Sequence, residues 1–138
     1  METHHTKTLG DLGVLKAQVD LYLKGYWVSI PLTEHAPFDL IITKDGSSRT
    51  VQVKARSLNK NGALEVPFRQ SYSTKNGVQT KKWDKTHIDI VCVYCPDTGE
   101  CYYFDPHQFN KTVTLRVKMP KNNQVQGINF VEDYREVP

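Results

Sequence analysis

The sequence is poor in cysteine, with three in 138 residues. An odd and small number excludes the disulfide framework of small secreted domains, because at least one thiol must stay unpaired. The three residues are Cys92, Cys95 and Cys101. Free thiols persist in reducing compartments, so the composition predicts an intracellular, cytoplasmic protein.

Long apolar runs are also missing. No stretch approaches the roughly 20 apolar residues that cross a bilayer, and the first residues lack the basic and apolar regions of a secretory signal. We therefore expect no membrane partner. The remaining composition is ordinary for a globular protein, with 38% hydrophobic and 24% charged residues, and 138 residues suit a single domain over 1–138.

The spacing Cys92-x-x-Cys95 is that of many zinc and redox sites. A structural zinc site needs a second pair of Cys or His ligands, however, and the only later cysteine is Cys101. Residues 87–95 also have the composition of a strand, on which residues three apart point to opposite faces. We therefore predict buried thiols in a core strand.

The net charge of +3 is distributed unevenly. The segment 44–85 holds ten basic and three acidic residues, a charge of +7, which leaves −4 for the rest of the chain. Short polar residues accompany these cations over 70–79, a combination typical of surfaces that contact nucleic-acid phosphates. On charge alone, a solvated hairpin loop is an equally good interpretation.

Hydrophobic periodicity predicts one mixed α/β domain. Apolar residues at 12, 15, 19, 22, 23 and 26 have the spacing of an amphipathic helix over 10–25, with Gly25 as its stop. Runs 38–43 and 49–55 flank a turn-forming cluster and predict an antiparallel hairpin. Further strands are predicted over 26–30, 63–68, 87–95, 101–104 and 112–118, and a short helix over 127–135.

Pairing of the two hairpin strands would bring three polar side chains together. On an extended strand Gln52 and Lys54 share one face, Val51 and Val53 share the other, and Asp39 lies on the preceding strand. A carboxylate and an amide oxygen suit Mg²⁺, which prefers oxygen ligands and keeps several waters. Lys54 would orient or deprotonate a water that attacks a phosphate, and would stabilise charge at phosphorus. On spacing alone, ordinary polar residues of a sheet surface are the commoner explanation.

Two short stretches, Ala36-Pro37-Phe38-Asp39-Leu40 and Val51-Gln52-Val53-Lys54, follow a helix that ends in Leu23-Lys24-Gly25-Tyr26. This succession resembles the PD-(D/E)XK endonuclease superfamily. The resemblance extends over roughly 8–135, through stretches at 62–66, 69–72, 88–89, 93–96, 115–117, 120–124 and 132–134.

In this resemblance Pro37 and Asp39 take the place of the PD element, and Gln52-x-Lys54 that of the acidic-x-Lys element. With a glutamine in place of the acidic residue, the motif resembles that of the branch that includes a group I intron-encoded homing endonuclease. The implied α/β fold has a restriction-endonuclease-like core, a mixed β-sheet flanked by helices, and a β-rich C-terminal half. The implied activity is site-specific, homing-type DNA cleavage by hydrolysis of phosphodiester bonds with Mg²⁺, or with Mn²⁺. Asp39 would bind the metal, Gln52 the metal or a water, and Lys54 would be the catalytic lysine.

One position departs from the pattern of this superfamily. Active relatives commonly carry a metal-binding Glu four residues after a glycine of the first helix, and counting from Gly10 this chain has Val14 there. Asp11 would be the substitute metal ligand, although an acid is also favoured in a first helical turn for its effect on the helix alone. Glu34 and His35 lie in the loop before the hairpin, and we expect them to order that loop or contact DNA rather than bind metal.

The expected partners are double-stranded DNA and further copies of the chain. Recognition of a long DNA site buries roughly 1,000–2,500 Å² of protein surface, which is a large area for a chain of 138 residues to supply alone. Size and resemblance together imply a homo-oligomer, a dimer or tetramer, with 112–134 as candidate interface. The candidate DNA contacts are Arg56, Arg69, Tyr72, Lys75, Lys81 and Lys82.

Three other functions stay open. The missing helix glutamate leaves a catalytically degenerate DNA-binding protein on a nuclease fold as one alternative. Holliday junction resolvases resemble the same core arrangement, so a structure-selective nuclease is a second. An assembly protein with no DNA function is the third.

Overall fold

One long helix and ten strands make up the regular structure of residues 5–119, 122–123 and 126–138, the part of the chain that the computed structural model describes. The helix α1 is His5–Leu23. The strands are β1 Trp27–Ser29, β2 Leu40–Lys44, β3 Ser47–Ala55, β4 Ala63–Pro67, β5 Arg69–Thr74, β6 Gly77–Lys82, β7 Ile90–Cys95, β8 Glu100–Phe104, β9 Thr112–Arg116 and β10 Asn129–Phe130. Short 3₁₀ helices are Lys85–His87, Pro106–Gln108 and Val131–Tyr134. Over these described ranges, no helix has the length and apolar composition needed to cross a membrane.

A five-stranded sheet in the order β1-β2-β3-β7-β8 lies at the centre of the fold. Its β2 and β3 form the predicted hairpin, and since Lys44 pairs with Ser47 the loop is only Asp45-Gly46. Both loop residues have positive φ, 53° and 78°, as in two-residue turns whose twist matches that of antiparallel strands. β3 and β7 run parallel while the other neighbours run antiparallel, so the sheet is mixed, as predicted.

Helix α1 packs on one face of this sheet through small residues. Gly13, Ala17 and Leu21 are buried there, and a Cβ added to Gly13 would lie 3.2 Å from the Cβ of Ala55 on β3. A helix can approach a strand this closely only where the facing side chains are small. The helix begins at His5 rather than at residue 10, and it ends just before Gly25, whose φ of 92° suits the predicted stop.

The apolar positions that predict this helix lie on the side of α1 that faces away from the sheet. Residues 12, 15, 19, 22 and 23 are exposed, although an amphipathic helix normally turns such a stripe towards the core. Periodicity therefore located the helix but not its orientation, because the close fit of Gly13 and Ala17 against the sheet selects the buried face.

A second sheet, β10-β9-β4, covers the opposite face of β7 and β8. The described residues thus place one long helix and one small sheet against the central mixed sheet, and the C-terminal half is rich in strands, as the resemblance implies. Cys95 belongs to the core beneath the second sheet, and Cys92, three residues earlier, to the core beneath α1. All three cysteines are buried free thiols, which confirms that prediction.

The connection from β3 to its parallel partner β7 is long and has no α-helix. Residues 56–89 supply β4, the two-stranded antiparallel ribbon β5–β6 and a 3₁₀ helix. The basic stretch is therefore a hairpin, in which Arg69 pairs with Lys82 and Thr74 with Gly77. At the other end of the chain, the short helix predicted over 127–135 is reduced to β10 and the 3₁₀ turn Val131–Tyr134.

Replacing Gly13 with leucine tests the contact between α1 and β3. The new side chain would collide with Ala55 and Tyr94, and such overpacking should lower the free energy of unfolding by about 1–3 kcal/mol. Gly10→Leu is the matched control, because nothing lies within 4 Å of a Cβ at Gly10. There leucine should raise the free energy of unfolding by about 0.5–1 kcal/mol through helix propensity. Urea unfolding measures both, and equal midpoints would contradict this packing of α1.

Candidate active site

Asp39, Gln52 and Lys54 lie together where β2 begins and β3 ends. Main-chain pairing sets this arrangement, since the Asp39 N–H donates to the Val51 carbonyl at 2.9 Å. Val51 and Val53 are buried beneath α1, so the alternation of β3 turns Gln52 and Lys54 to the opposite face. The structure therefore brings together the three side chains that the sequence singled out.

The Asp39 carboxylate is held through one of its oxygens. Oδ2 accepts hydrogen bonds from the Val53 N–H at 2.9 Å and from Gln52 Nε2 at 3.0 Å. Oδ1 has no hydrogen-bond partner among the described residues and reaches solvent, since every fully buried side-chain polar atom in this part of the chain is satisfied. Donation through Nε2 leaves the Oε1 of Gln52 available as well. One carboxylate oxygen and one amide oxygen can therefore take a ligand here.

Burial shifts the pKa values of both ionisable groups. It raises the pKa of the Asp39 carboxyl above 3.8, against the opposing effects of the Val53 N–H and the Lys54 ammonium. It lowers the pKa of Lys54, which the neighbouring Arg56 lowers further while Asp39 acts in the opposite direction. Each charged form is thus disfavoured here, and a bound ion of opposite charge would relieve the cost.

The Lys54 ammonium lies over an aromatic ring rather than against an acid. Its Nζ is 4.9 Å from the centroid of the Trp83 ring, and within the described residues it makes no hydrogen bond or ion pair. Trp83 packs in turn on Phe68, with ring centroids 5.6 Å apart, and the main-chain N–H of Trp83 donates to the Phe68 carbonyl at 3.1 Å. Sequence reasoning missed Trp83, although an aromatic residue directly after two lysines was a signal for it. The Trp83 ring therefore positions the Lys54 ammonium and leaves its N–H groups available to bind an anion.

A cleft of about 460 Å³ opens beside these residues. The loop before β2 lines it with Glu34 and His35, β3 contributes Gln52, and the end of the ribbon contributes residues 81–83. Lys81 and Lys82 are exposed there. The folded chain therefore places part of its basic segment at the mouth of the candidate site, although that part is nearly 30 residues from Lys54 in sequence.

The other candidate DNA contacts are spread along the ribbon and β3. The exposed ones are Arg69, Lys75, Lys81 and Lys82. Arg56 is half-buried directly after β3, where its guanidinium donates to the Ala55 carbonyl at 2.9 Å and burial lowers its pKa. The side chain of Tyr72 lies outside the described residues, although its main chain belongs to β5.

The donor set for a divalent cation is small. Over 5–119, 122–123 and 126–138, no three His, Cys, Asp or Glu side chains are grouped closely enough to hold a metal. Asp11 is exposed on α1, which packs on the other face of the sheet, so its ligation stays a prediction. The free oxygens of Asp39 and Gln52 nevertheless fit a cation such as Mg²⁺, because Mg²⁺ keeps several waters and takes few protein ligands.

A family model and a solved structure point to the same fold. A family model described as PD-(D/E)XK endonuclease matches residues 4–137. A bacterial homing endonuclease, I-Ssp6803I, is similar in structure with a TM-score of 0.76 at 20% identity, covering 96% of this chain and 89% of that one. This likeness confirms the predicted fold class. Hjc, a Holliday junction resolvase from Archaeoglobus fulgidus, has a TM-score of 0.48 at 12% identity, covering 90% of this chain and 93% of that one. No curated protein matches the sequence significantly.

Asp39→Asn tests the electrostatic cost of the buried carboxylate. Burial raises the pKa of Asp39 in the folded state above its value in the unfolded chain. At a pH above the raised pKa the carboxyl is charged, and its burial destabilises the folded wild-type protein. At a pH below the unfolded pKa the carboxyl is protonated in both states, and this destabilisation is lost. The variant should therefore unfold at a higher temperature than wild type at pH 7, and the difference should vanish near pH 3.

The control for this variant is Asp133→Asn, which removes an exposed negative charge far from β3 in the sequence. Thermal unfolding followed by circular dichroism across the pH range measures both. A lower midpoint for Asp39→Asn at pH 7 would mean that the bonds from Val53 and Gln52 outweigh burial.

Proposed function

This chain belongs to the PD-(D/E)XK endonuclease family, whose model matches residues 4–137, and on that premise we propose that it is a metal-dependent DNA endonuclease of the homing type. It hydrolyses phosphodiester bonds of double-stranded DNA at a specific site. The observation that carries this proposal is the group just before β2 and on β3: a held carboxylate, an amide oxygen of Gln52 at the cleft, and an ammonium that is unpaired among the described residues. The fold shared with a bacterial homing endonuclease supports the finer assignment to the homing type.

Lys54 has the clearest part in this chemistry. Hydrolysis forms a bond from a water oxygen to phosphorus and breaks the bond from phosphorus to a sugar oxygen. The water gives up a proton and the leaving oxygen takes one. Negative charge grows on the other phosphate oxygens meanwhile, and an ammonium already desolvated and held over Trp83 stabilises that charge without further reorganisation. Because burial and Arg56 lower its pKa, Lys54 is also closer than an exposed lysine to accepting the proton of the water.

Asp39 and Gln52 would hold the divalent metal, through the Oδ1 of one and the Oε1 of the other. We propose Mg²⁺, with Mn²⁺ as the alternative. When bound, such an ion supplies polarisation of the phosphate and charge neutralisation. Two hydrogen bonds hold Oδ2, so the orientation of Oδ1 is set before any ligand arrives. Asp11 is a further candidate ligand, which would have to reach the site from α1.

DNA binding is assigned to the ribbon and to the basic residues near the cleft. A two-stranded ribbon has dimensions that a DNA major groove admits, and the exposed side chains of β6 include no acid. Lys81 and Lys82 would contact phosphates next to the scissile bond, and Lys75 would contact them from the turn of the ribbon. Arg56, Arg69 and Tyr72 complete the proposed contact set.

Two further assignments depend on size and on the cysteines. A single chain offers little surface for a long DNA site, so we propose that the active form is a homo-oligomer, a dimer or tetramer. Its three buried free thiols suit a reducing compartment, so we propose an intracellular, cytoplasmic location.

Removal of the ammonium in Lys54→Ala should abolish cleavage while leaving DNA binding nearly intact. We expect a loss of at least about 10²-fold in nicking of supercoiled plasmid with Mg²⁺ or Mn²⁺, because one preorganised charge donor is removed. Lys60→Ala is the matched control, since Lys60 is an exposed lysine in the turn before β4. At low salt, phosphate contacts bind DNA of any sequence, so the binding part of the assay does not need the natural target.

The outcome of this assay separates the candidate functions. If wild-type protein binds DNA but neither it nor the variant cuts, the protein is a catalytically degenerate DNA-binding protein. The small number of acidic groups at the site is consistent with that alternative. If it cuts a four-way junction but not a linear duplex of equal length, it is a junction-selective nuclease. Equal cutting by wild type and Lys54→Ala would refute the role of Lys54.

Replacing both Lys81 and Lys82 with glutamine tests the ribbon as a DNA contact. Two fewer phosphate contacts should reduce the slope of log affinity against log salt by about 1 per lysine. The double variant Lys60→Gln/Lys111→Gln removes the same charge from exposed positions outside the ribbon. Fluorescence anisotropy with a labelled duplex over a salt series measures both. Identical slopes for the two double variants would show that only net charge matters.

A further inference from the structure

An apolar stripe covers the solvent side of α1. The α1 stripe consists of Leu12, Leu15, Val19, Tyr22, Leu23 and Trp27. Trp27 joins it from β1, with its ring centroid 6.5 Å from that of Tyr22. All of them except Leu12 are 59–79% exposed. Single apolar residues are common on protein surfaces, but a contiguous patch marks an interaction site.

The spacing of the α1 stripe is that of paired helices. Steps of three and four residues separate Leu12, Leu15, Val19 and Tyr22, as they separate the core positions of a coiled coil. The helix already packs on its own sheet through Gly13 and Ala17, so this seam is not used inside the chain. The large aliphatic and aromatic side chains of the stripe, apart from Leu12, therefore remain mostly exposed among the described residues.

The area of the α1 stripe suits a protein interface. From their exposed fractions, its six residues, main chain included, present on the order of 700 Å² per copy, close to the roughly 800 Å² that each partner buries in a standard interface. The largest apolar patch of a typical monomer is smaller, about 300–600 Å².

Charge complementarity favours a partner with the same surface. No charged residue belongs to the stripe, and Asp11 and Lys16 are exposed beside it. These two residues are five positions apart, the separation at which charges pair between neighbouring parallel helices. Pairing of two identical α1 helices side by side would thus bring opposite charges together across the seam, and Asp11 would then pair with Lys16 of the second copy rather than bind metal.

We propose that a second copy of this chain packs its α1 stripe against this one, so that the protein is a dimer through α1. The contact is isologous, because the same surface serves on both sides. Gln52 and Lys54 lie on the other face of the sheet, so this dimer leaves the cleft open. The interface differs from the 112–134 region expected from the sequence, and the inference does not depend on nuclease activity.

Charges placed in the seam should dissociate the dimer. We expect Leu15→Glu/Val19→Glu to weaken self-association at least about 100-fold, because two carboxylates per copy would be desolvated. Val78→Glu is the control, since Val78 is 70% exposed at the ribbon. Sedimentation equilibrium over about 1–100 μM should give twice 15.8 kDa for wild type and control, and 15.8 kDa for the double variant. Circular dichroism confirms that each is folded.

Cross-linking locates the interface without disturbing the seam's charge. All three native thiols are buried, so Val19→Cys carries one exposed thiol at the middle of the stripe. Mild oxidation should convert it to a disulfide-linked dimer, while Thr114→Cys, exposed on β9 in the 112–134 region, should stay monomeric on a non-reducing gel.

Three results would overturn the proposal. The first is a wild-type monomer over the whole concentration range, which would leave the stripe for a different partner. The second is a dimer that the two glutamates do not weaken. The third is a cross-link through Thr114→Cys but not through Val19→Cys. None of these measurements uses DNA, so they stand apart from the plasmid assay.

Discussion

The alternation of β3 is the constraint on which both the fold and the candidate site depend. Val51 and Val53 point into the core beneath α1, while Gln52 and Lys54 point to the opposite face, where Gln52 lines the cleft and Lys54 lies over Trp83. β3 is also the middle strand of five, joined to β2 by a hairpin and paired in parallel with β7. A shift of one residue would bury an amide and an ammonium and expose two valines. The cost of burying unpaired polar groups therefore holds the register that creates the site.

The same burial disfavours the charged forms of both Asp39 and Lys54. For both Asp39 and Lys54, burial outweighs the attraction that each exerts on the other. A cation near the free carboxylate oxygen and a phosphate near the ammonium would each relieve this imbalance. The chain thus gives up stability at the point where it would bind metal and DNA, which is a common property of catalytic sites.

The long connection between β3 and β7 completes the site from a distance in sequence. It returns the ribbon to the cleft, and Lys85 fixes the base of that ribbon by donating to the Phe109 carbonyl at 2.8 Å and the Asn110 carbonyl at 2.5 Å. The Lys85 ammonium also lies 4.3 Å from the centroid of the Phe68 ring, on which Trp83 packs. One anchored segment therefore positions both the aromatic support of Lys54 and the basic mouth of the cleft.

Local chemistry made much of this predictable from sequence. Alternation on β3, the turn at Asp45-Gly46 and the stop at Gly25 are short-range properties, because neighbouring residues and backbone sterics decide them. The grouping of Asp39 with Gln52 could be predicted from the hairpin alone. Strand geometry was sufficient to predict that Cys92 and Cys95 point to opposite faces. What the tertiary structure decided are contacts between distant segments. Trp83 under Lys54, the ribbon beside the cleft and the outward turn of the α1 stripe depend on which surfaces fit together, and a small residue such as Gly13 can outweigh a whole apolar stripe in that choice.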